Sequence, residues 1–352
     1  MTAGGGGGAV TLGEGRTPLV RAERIGAALG LRELWLKLEG GNPTGSYKDR
    51  FAAAAVTHLV RAGRRACLGT SSGNTGAALA AYCARAGIGC FLAIVEGAPE
   101  GKLRQMRAYG ARLLRIRDFG ASPAVIDAVM AGLRPLAEEV GAGFEVSAYR
   151  FSPHGMAGVE SIGTELAAQV GRGAAEVFVP AGGGGLTLAV ARGLAAAGAA
   201  ARVHCVQPAG NDTIATALRR GGTLAAAVTS RTAVSGLQVG SVLDGDAVIA
   251  ACRASGGTGH LVEDEAVWRW QARLAREEGV FCEPAGAVAL AAVAQAVARG
   301  ELAAATPVVC LVTGTGFKDE RSLLRMTGEA GTPLVDSFAE FAAAVRAELG
   351  TA

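Results

Sequence analysis

The chain is predicted to be an α/β protein built on parallel sheets with helices covering both faces. Short apolar runs of strand length, at 66–70, 90–95, 111–116, 177–180, 202–207 and 307–312, alternate with stretches of helix-forming residues. Several of these runs end in glycine- and hydroxyl-rich turns that lead directly into a helix, the order a βαβ unit requires. Half of the 352 residues are hydrophobic and 18% are charged, the balance of a compact chain rather than a disordered one. That length accommodates two domains.

The elements follow in order. Met1-Thr2-Ala3 and five glycines open residues 1–10, a flexible tail without the basic and apolar regions of a signal peptide. Residues 11–20 read as a turn followed by an extended piece, and 34–38 as a short strand. In the loop that follows, Asn42-Pro43 and the flanking glycines favour a bend. A helix then begins: Ser46 with Asp49 has the form of a capping box, and Phe51 to Val60 continue with helix formers. The strand 66–70 enters the turn Ser71-Ser72-Gly73-Asn74-Thr75-Gly76 and a helix at 77–85. Next come strand 90–95, helix 102–109, strand 111–116, helix 122–140 and strand 144–147. A helix at 156–170 precedes the apolar strand 177–180, after which Gly182, Gly183, Gly184 and Gly185 open a helix at 186–197. Strand 202–207 comes after it, and 211–259 carries no clear pattern. Helices at 265–278 and 284–299 lead to the last strand, 307–312, which ends in Thr313-Gly314-Thr315-Gly316. Residues 337–349 read as an amphipathic closing helix. No internal repeat is visible.

Bulk properties exclude several classes of function. A net charge of +3, with arginines interleaved among acids, offers no basic stripe for nucleic acid. No uninterrupted apolar run is long enough to span a membrane. The seven cysteines are odd in number and contain no C-x-x-C pair, which argues against a disulfide framework or a zinc site and for a reducing, cytoplasmic setting. The four histidines lack metal-ligand spacing, and His154, in Ser152-Pro-His-Gly155, is the one nearest the expected site.

Lys48 stands out. Of 34 basic residues only Lys37, Lys48, Lys102 and Lys318 are lysines, and a guanidinium cannot form the covalent bond with an aldehyde that an amine can. In the first turn of a helix the backbone dipole favours the neutral, nucleophilic amine. Lys37, Lys102 and Lys318 have no such context and are expected to be without special role. Three turns at strand ends complete the pattern, since ligands gather there in open parallel sheets. The four glycines at 182–185 let backbone N–H groups close around a phosphate at a helix start. They are not a dinucleotide fingerprint, because the G-x-G-x-x-G register fails at Thr187 or Leu188, and no G-x-x-x-x-G-K-[ST] is present. Ser71 to Gly76 supplies hydroxyls, an amide and backbone donors suited to a carboxylate, and Thr313 and Thr315 place hydroxyls at the end of a buried strand. Each turn alone fits an ordinary cap or tight bend. Together with the lysine they describe pyridoxal phosphate bonded to Lys48.

Asn42-Pro-Thr-Gly-Ser-Tyr-Lys-Asp-Arg50 resembles the lysine motif of threonine synthase. Ser71-Ser-Gly-Asn-Thr-Gly76, Phe281-Cys-Glu-Pro-Ala-Gly286 and Thr313-Gly-Thr-Gly-Phe-Lys-Asp319 resemble its later landmarks, in the same order, over roughly residues 14 to 320. The chain is thereby identified as a member of the fold-type II pyridoxal phosphate enzymes, a group that includes serine and threonine dehydratases, cysteine synthase and the tryptophan synthase β chain. The resemblance implies two parallel-sheet α/β domains with the cofactor between them: a small mobile domain, 50–148, inserted in a large one made of 11–49 and 149–335, followed by a C-terminal helix at 336–352. It also implies Lys48 as the cofactor-bonded lysine and proton shuttle, and Gly182, Gly183, Gly184 and Gly185 around the phosphate. Asn74 would lie at the ring's 3′ oxygen, Thr313 at the pyridine nitrogen, and Ser71, Ser72 and Thr75 at the substrate carboxylate. A homodimer is expected because relatives form one.

Two departures bear on the substrate. The segment Pro180-Ala-Gly-Gly-Gly-Gly-Leu186 is more similar to the dehydratase phosphate loop. At Gly158-Val-Glu160-Ser161 a carboxylate, Glu160, occupies the lysine position of threonine synthase and is a poor neighbour for a phosphorylated substrate, leaving Arg150 to meet such a phosphate. The reading is a threonine synthase-like lyase that eliminates a leaving group from an activated amino acid and then adds water or another nucleophile. The alternatives are a serine/threonine dehydratase and a specialised β-replacement enzyme that does not use phosphohomoserine.

Overall fold

The computed structural model describes residues 8–328 and 331–350. Residues 1–7 of the expected tail, and 329–330 and 351–352, lie outside the described residues. In chain order the elements are β1 (Leu19–Arg21), α1 (Glu23–Ala28), β2 (Leu34–Leu38), α2 (Lys48–Arg61), β3 (Ala66–Thr70), α3 (Asn74–Ala86), β4 (Gly89–Val95), α4 (Glu100–Ala108), β5 (Arg112–Ile116), α5 (Pro123–Glu139) and β6 (Gly143–Glu145). They continue with α6 (Pro153–Val159), α7 (Ser161–Val170), β7 (Ala175–Pro180), α8 (Gly185–Ala196), β8 (Ala201–Pro208), α9 (Ala215–Arg219), α10 (Gly245–Ala254), β9 (Gly259–Val262), α11 (Asp264–Glu278), α12 (Pro284–Ala298), β10 (Val308–Val312), α13 (Glu320–Thr327) and α14 (Phe338–Leu349).

The strands form two sheets, one of six strands in the order β1-β2-β10-β7-β8-β9 and one of four in the order β5-β4-β3-β6. Every neighbouring pair is parallel except β1 with β2, an antiparallel edge the apolar pattern did not announce. All residues of β7 and β10 are buried, as continuous apolar strands covered on both faces should be. Helix α12 is apolar around its circumference, and eleven of its fifteen residues are buried.

All strands of the smaller sheet fall between residues 66 and 145, and the larger sheet draws its strands from both flanks. Helix α2 belongs to neither sheet alone, because it packs on both α3 and α6. Missing side chains allow this approach: a Cβ on Gly158 of α6 would lie 2.3 Å from Arg50 O of α2. One hydrophobic core consequently runs without a break from α3 and β4, through α2, into α7, α8 and β8.

Several expectations are corrected. The helix expected at 156–170 is two helices that meet at Glu160. Elements α1, α9, α10, β9 and α13 appear where no pattern was read. The C-terminal helix forms, with Ser337 Oγ accepting from Glu340 N at 3.2 Å, yet none of its residues is buried, so it closes nothing. At the other end Val10 N donates to Thr57 Oγ1 at 2.9 Å, which fastens the last residue of the expected tail to α2.

Candidate active site

The loop before α2 is shaped by buried ion pairs. Arg50 donates to Glu39 Oε1 and Oε2 at 2.8 and 2.9 Å and to Glu165 Oε1 and Oε2 at 2.6 and 2.9 Å. Desolvation opposes this charge, but the two carboxylates outweigh it and raise the guanidinium pKa, while its partner Glu165 is held down at about 2. Lys37, fully buried, gives its three donors to Thr17 O, Glu165 Oε2 and Gln169 Oε1 at 2.9, 2.7 and 2.9 Å. The loop's far side is stitched to the end of β10, with Tyr47 N donating to Thr313 O at 3.1 Å and Thr315 N to Gly45 O at 2.9 Å.

The capping box does not form as read. The residue before the helix is Tyr47, and Asp49 reaches back past Ser46 to accept from Thr44 N and Oγ1 at 3.0 and 2.7 Å. Burial pushes this carboxyl up to about 6. Lys48 is the first residue of α2, and its Nζ donates to Ser147 Oγ at 2.5 Å. Ser147 O in turn lies 3.6 Å from where a Cβ on Gly185 would stand. The lysine amine thus sits beside the start of α8, next to the tetraglycine.

The glycine turn is tight for reasons of space and conformation. A Cβ on Gly183 would come within 2.8 Å of Leu243, and Gly184 has φ +96° with Val248 at 2.7 Å from its own Cβ position. The first intrahelical bond of α8 runs from Leu188 N to Gly184 O, so the amides of Gly185, Leu186 and Thr187 have no acceptor within the helix. At the start of α3, Gly73 N donates to Ser71 Oγ at 3.2 Å, and Thr75 is half-buried. Asn74 Nδ2 donates to Glu283 Oε1 at 2.8 Å, and Glu283 N donates to Gly314 O at 3.1 Å, so the α3 turn, the α12 start and the β10 end meet at one point.

Two hydroxyls here lack partners. Ser72 Oγ and Thr313 Oγ1 are shielded from water and hydrogen-bond to nothing among the described residues. Buried hydroxyls are ordinarily satisfied, so orphans where two helix starts meet the end of β10 fit a polar ligand. Anion-ready amides, a lysine amine and an unspent hydroxyl at a strand end are the donor set pyridoxal phosphate needs, and the residues present fit that group.

Glu283 was missed as a site residue, although it lies in one of the recognised motifs. Burial pushes its carboxyl up to about 7, against the Asn74 hydrogen bond and the charges of Lys318 and Lys102. Those two lysines overturn the expectation that they have no special place. Lys318 is mostly buried, with Nζ 2.5 Å from Gln105 Oε1, and burial lowers its pKa although Glu283 and Asp49 pull it up. Lys102 bonds Ser235 Oγ and lies 3.3 Å from Asp319 Oδ2. The signal available was the scarcity of lysine, which applied to all four.

Arg150 and Glu160 border this cluster through Asp244, which accepts from Tyr149 N and Arg150 N and whose Oδ2 lies 3.1 Å from where a Cβ on Gly185 would stand. Arg150 N donates to Asp244 Oδ1 at 3.2 Å, but its guanidinium is 5.8 Å from the centre of the Phe151 ring and the residue is exposed. Glu160 Oε1 accepts from Tyr149 Oη at 2.7 Å, and the Tyr149 ring also stacks under Arg192, two turns along α8 from Gly185. His154 stacks on His58 with ring centres 4.0 Å apart, on the α2–α6 side. The size of a hollow does not mark the site: cavities of about 330 and 510 Å³ both lie away from Lys48.

A two-sheet α/β chain with a lysine, a glycine cradle and a strand-end hydroxyl converging between the sheets defines a pyridoxal phosphate enzyme. The chain belongs to the family described as pyridoxal-phosphate dependent enzyme, whose model matches residues 10–314. It is similar to threonine synthase of Methanosarcina acetivorans, 31% identical over 332 residues, covering 91% of this chain and 79% of that protein. Threonine synthase of Mycobacterium leprae is 33% identical over 351 residues, 94% of this chain and 89% of that protein. Among solved structures, a threonine deaminase from T.th. superimposes with a TM-score of 0.70 at 27% identity, over 91% of this chain and 94% of that one. The chain is a pyridoxal phosphate-dependent, threonine synthase-like lyase of the elimination and replacement type. No helix among the described residues is long and apolar enough to cross a membrane.

Proposed function

We propose that Lys48 is the residue bonded to the cofactor aldehyde and the base that moves the substrate's α-proton. The observation that carries this reading is the position of Lys48 Nζ, held by Ser147 Oγ beside the glycine start of α8. Gly182, Gly183, Gly184 and Gly185 would hold the phosphate through backbone N–H groups, with Thr313 as the partner of the pyridine nitrogen and Asn74 of the 3′ oxygen. When bound, pyridoxal phosphate draws electron density from the substrate's α-carbon, and a hydroxyl partner at the pyridine nitrogen makes it a moderate electron sink.

The remaining steps belong to this chain. Ser71, Ser72 and Thr75 orient the substrate carboxylate with the amides at the start of α3. Lys48 removes the proton from the α-carbon and returns it after the leaving group has gone. Lys102 and Lys318, both acting on Glu283 beside Asn74, bring two amines to that end of the site, where they could meet an anionic group of the substrate. The carboxylate of Glu160 accepts from Tyr149 Oη, which lessens the charge objection to a phosphorylated substrate, and Arg150, exposed beside the Asp244 turn, is the residue left to meet that phosphate. Movement of the smaller sheet unit over the site would exclude water until the nucleophile is required. A cytoplasmic homodimer is the expected working form.

Borohydride reduction of the holoenzyme followed by peptide mapping tests the first step: the cofactor mass is expected on the Lys48 peptide, and an unmodified Lys48 peptide removes the reading. Product analysis tests the second, with threonine and phosphate expected from O-phosphohomoserine. A dehydratase is the second reading, favoured by the four-glycine phosphate loop. Keto acid and ammonia from threonine, with no threonine from phosphohomoserine, would decide for it.

A further inference from the structure

A cavity of about 330 Å³ lies at the opposite end of the six-stranded sheet from Lys48. It is lined by Glu176, Arg202 and His260, from the first two residues of β7, β8 and β9, whereas the tetraglycine and Thr313 follow the last residues of β7 and β10. Its inner wall is a hydrogen-bonded relay. His204 Nε2 is 2.7 Å from Glu176 Oε2, and His260 Nε2 is 3.2 Å from His204 Nδ1. The backbone N–H of Thr258 also donates to His204 Nδ1, at 3.3 Å. A backbone amide can only donate, so His204 Nδ1 is an acceptor, and the His204 proton sits on Nε2, directed at the Glu176 carboxylate. His260 must then donate from its own Nε2.

That assignment leaves the lone pair of His260 Nδ1 as an acceptor. The nitrogen is buried, in a residue 2% exposed, and no donor among the described residues reaches it. Glu301 Oε2 lies 4.0 Å from it, a second acceptor. Two acceptors at this spacing can share one donor that lies at ordinary hydrogen-bond distance from both. Burial, then His204 and the charges of Arg219 and Arg299, lower the pKa of His260 to about 3, so its own protonation does not fill the gap near neutral pH.

The rest of the cavity narrows the chemistry of the occupant. Glu176 and Glu301 face Arg202 and Arg219, so the ionised lining is balanced and favours neither a dication nor a dianion. Arg202 uses one donor on Glu176, and its side chain is half exposed at the mouth, leaving further N–H groups for a carboxylate. Phe178, Ala296 and Leu302 supply apolar surface, and the volume lies at the small end of ligand sites. We propose that this cavity is a second binding site, for a free α-amino acid, with its ammonium between His260 Nδ1 and Glu301 and its carboxylate on Arg202. The site is independent of the role proposed for Lys48.

The holoenzyme labelled with ¹⁵N-histidine tests this, because the signal of His260 Nδ1 reports a new donor directly, while the visible absorbance of the cofactor reports the catalytic site. The buried pair is distinguished from His58 and His154 by His58→Gln and His154→Gln, which remove the other two signals. L-threonine and glycine are expected to move the His260 signal saturably, with affinity falling about tenfold or more in Glu301→Gln and in Arg202→Met through loss of a charge-assisted bond. Ethylammonium and propionate, each with half of the zwitterion, are expected to bind at least about tenfold more weakly than glycine. A signal that no amino acid moves, meaning that water alone fills the cavity, overturns the proposal. So does movement that survives Glu301→Gln, or ethylammonium binding as well as glycine.

Discussion

At the scale of single residues, Glu283 couples the site to pH. The unfolded chain ionises this carboxyl near 4.5, whereas the folded chain holds the proton to about 7 because burial outweighs Asn74 and the two lysines. Between those values the folded form binds more protons, so stability falls as pH rises through the window and levels off above it. For cofactor-free protein, the loss of unfolding free energy between pH 5 and pH 8 is expected to be smaller in Glu283→Gln than in the unchanged chain, by up to about 3 kcal/mol. Urea titrations at the two pH values measure it, and an equal pH response in both proteins refutes the coupling. Lys48 could be read from the sequence because its neighbours form a local motif. Glu283 could not, because its character comes from burial and from Asn74, 209 residues away in the chain. Lys102 and Lys318 escaped because the scarcity of lysine, which marked all four, was pressed only for Lys48.

Among elements, the helices were legible where one face is apolar and a glycine or hydroxyl turn marks the start. α11 and α12 appear within a residue of their expected bounds. The expected helix at 156–170 was misread because the break at Glu160 leaves the apolar spacing intact: Met156, Val159, Ile162 and Leu166 are all buried on one continuous side. What the pattern also hides is how closely α7 and α8 approach. A Cβ on Gly193 would lie 2.0 Å from Glu160 O, and one on Gly163 2.5 Å from Leu194 N and Val190 O. Helix propensity alone says that Gly193→Ala should stabilise α8 by about 1 kcal/mol. Packing says the reverse, because backbone cannot give way as a flexible side chain can, and overpacking costs about 1–3 kcal/mol or more. Gly193→Ala is therefore expected to lower the unfolding free energy by at least about 1 kcal/mol, measured by denaturant titration. Stabilisation would show that the two helices separate at no cost.

For the whole molecule, the two sheets were legible as a count of strands and turns, but their mechanical relation was not. Residues 211–259 hid α9 and α10, and the stretch 220–244 has no regular secondary structure, although Leu243 and Asp244 pack beside the tetraglycine. The smaller sheet is a continuous segment of chain, which suggests a unit able to move or unfold alone. The core argues otherwise, because one apolar cluster passes from α3 and β4 through α2 to α8 and β8, and separating the sheets would tear it. Any movement over the site must keep α2 seated on α6, so rotation of the four strands about that helix is compatible with the core and wholesale detachment is not. Trp35, Trp268 and Trp270 all lie in the larger unit and report it by fluorescence, while far-ultraviolet circular dichroism reports helices of both. The two signals are expected to give one coincident urea transition. Removing residues 331–352 should leave that transition within about 0.5 kcal/mol of its place, because no residue of α14 is buried. A fluorescence transition displaced from the dichroism transition would mean that the smaller sheet unfolds by itself, and that the α2 seam is a contact between two bodies rather than part of one core.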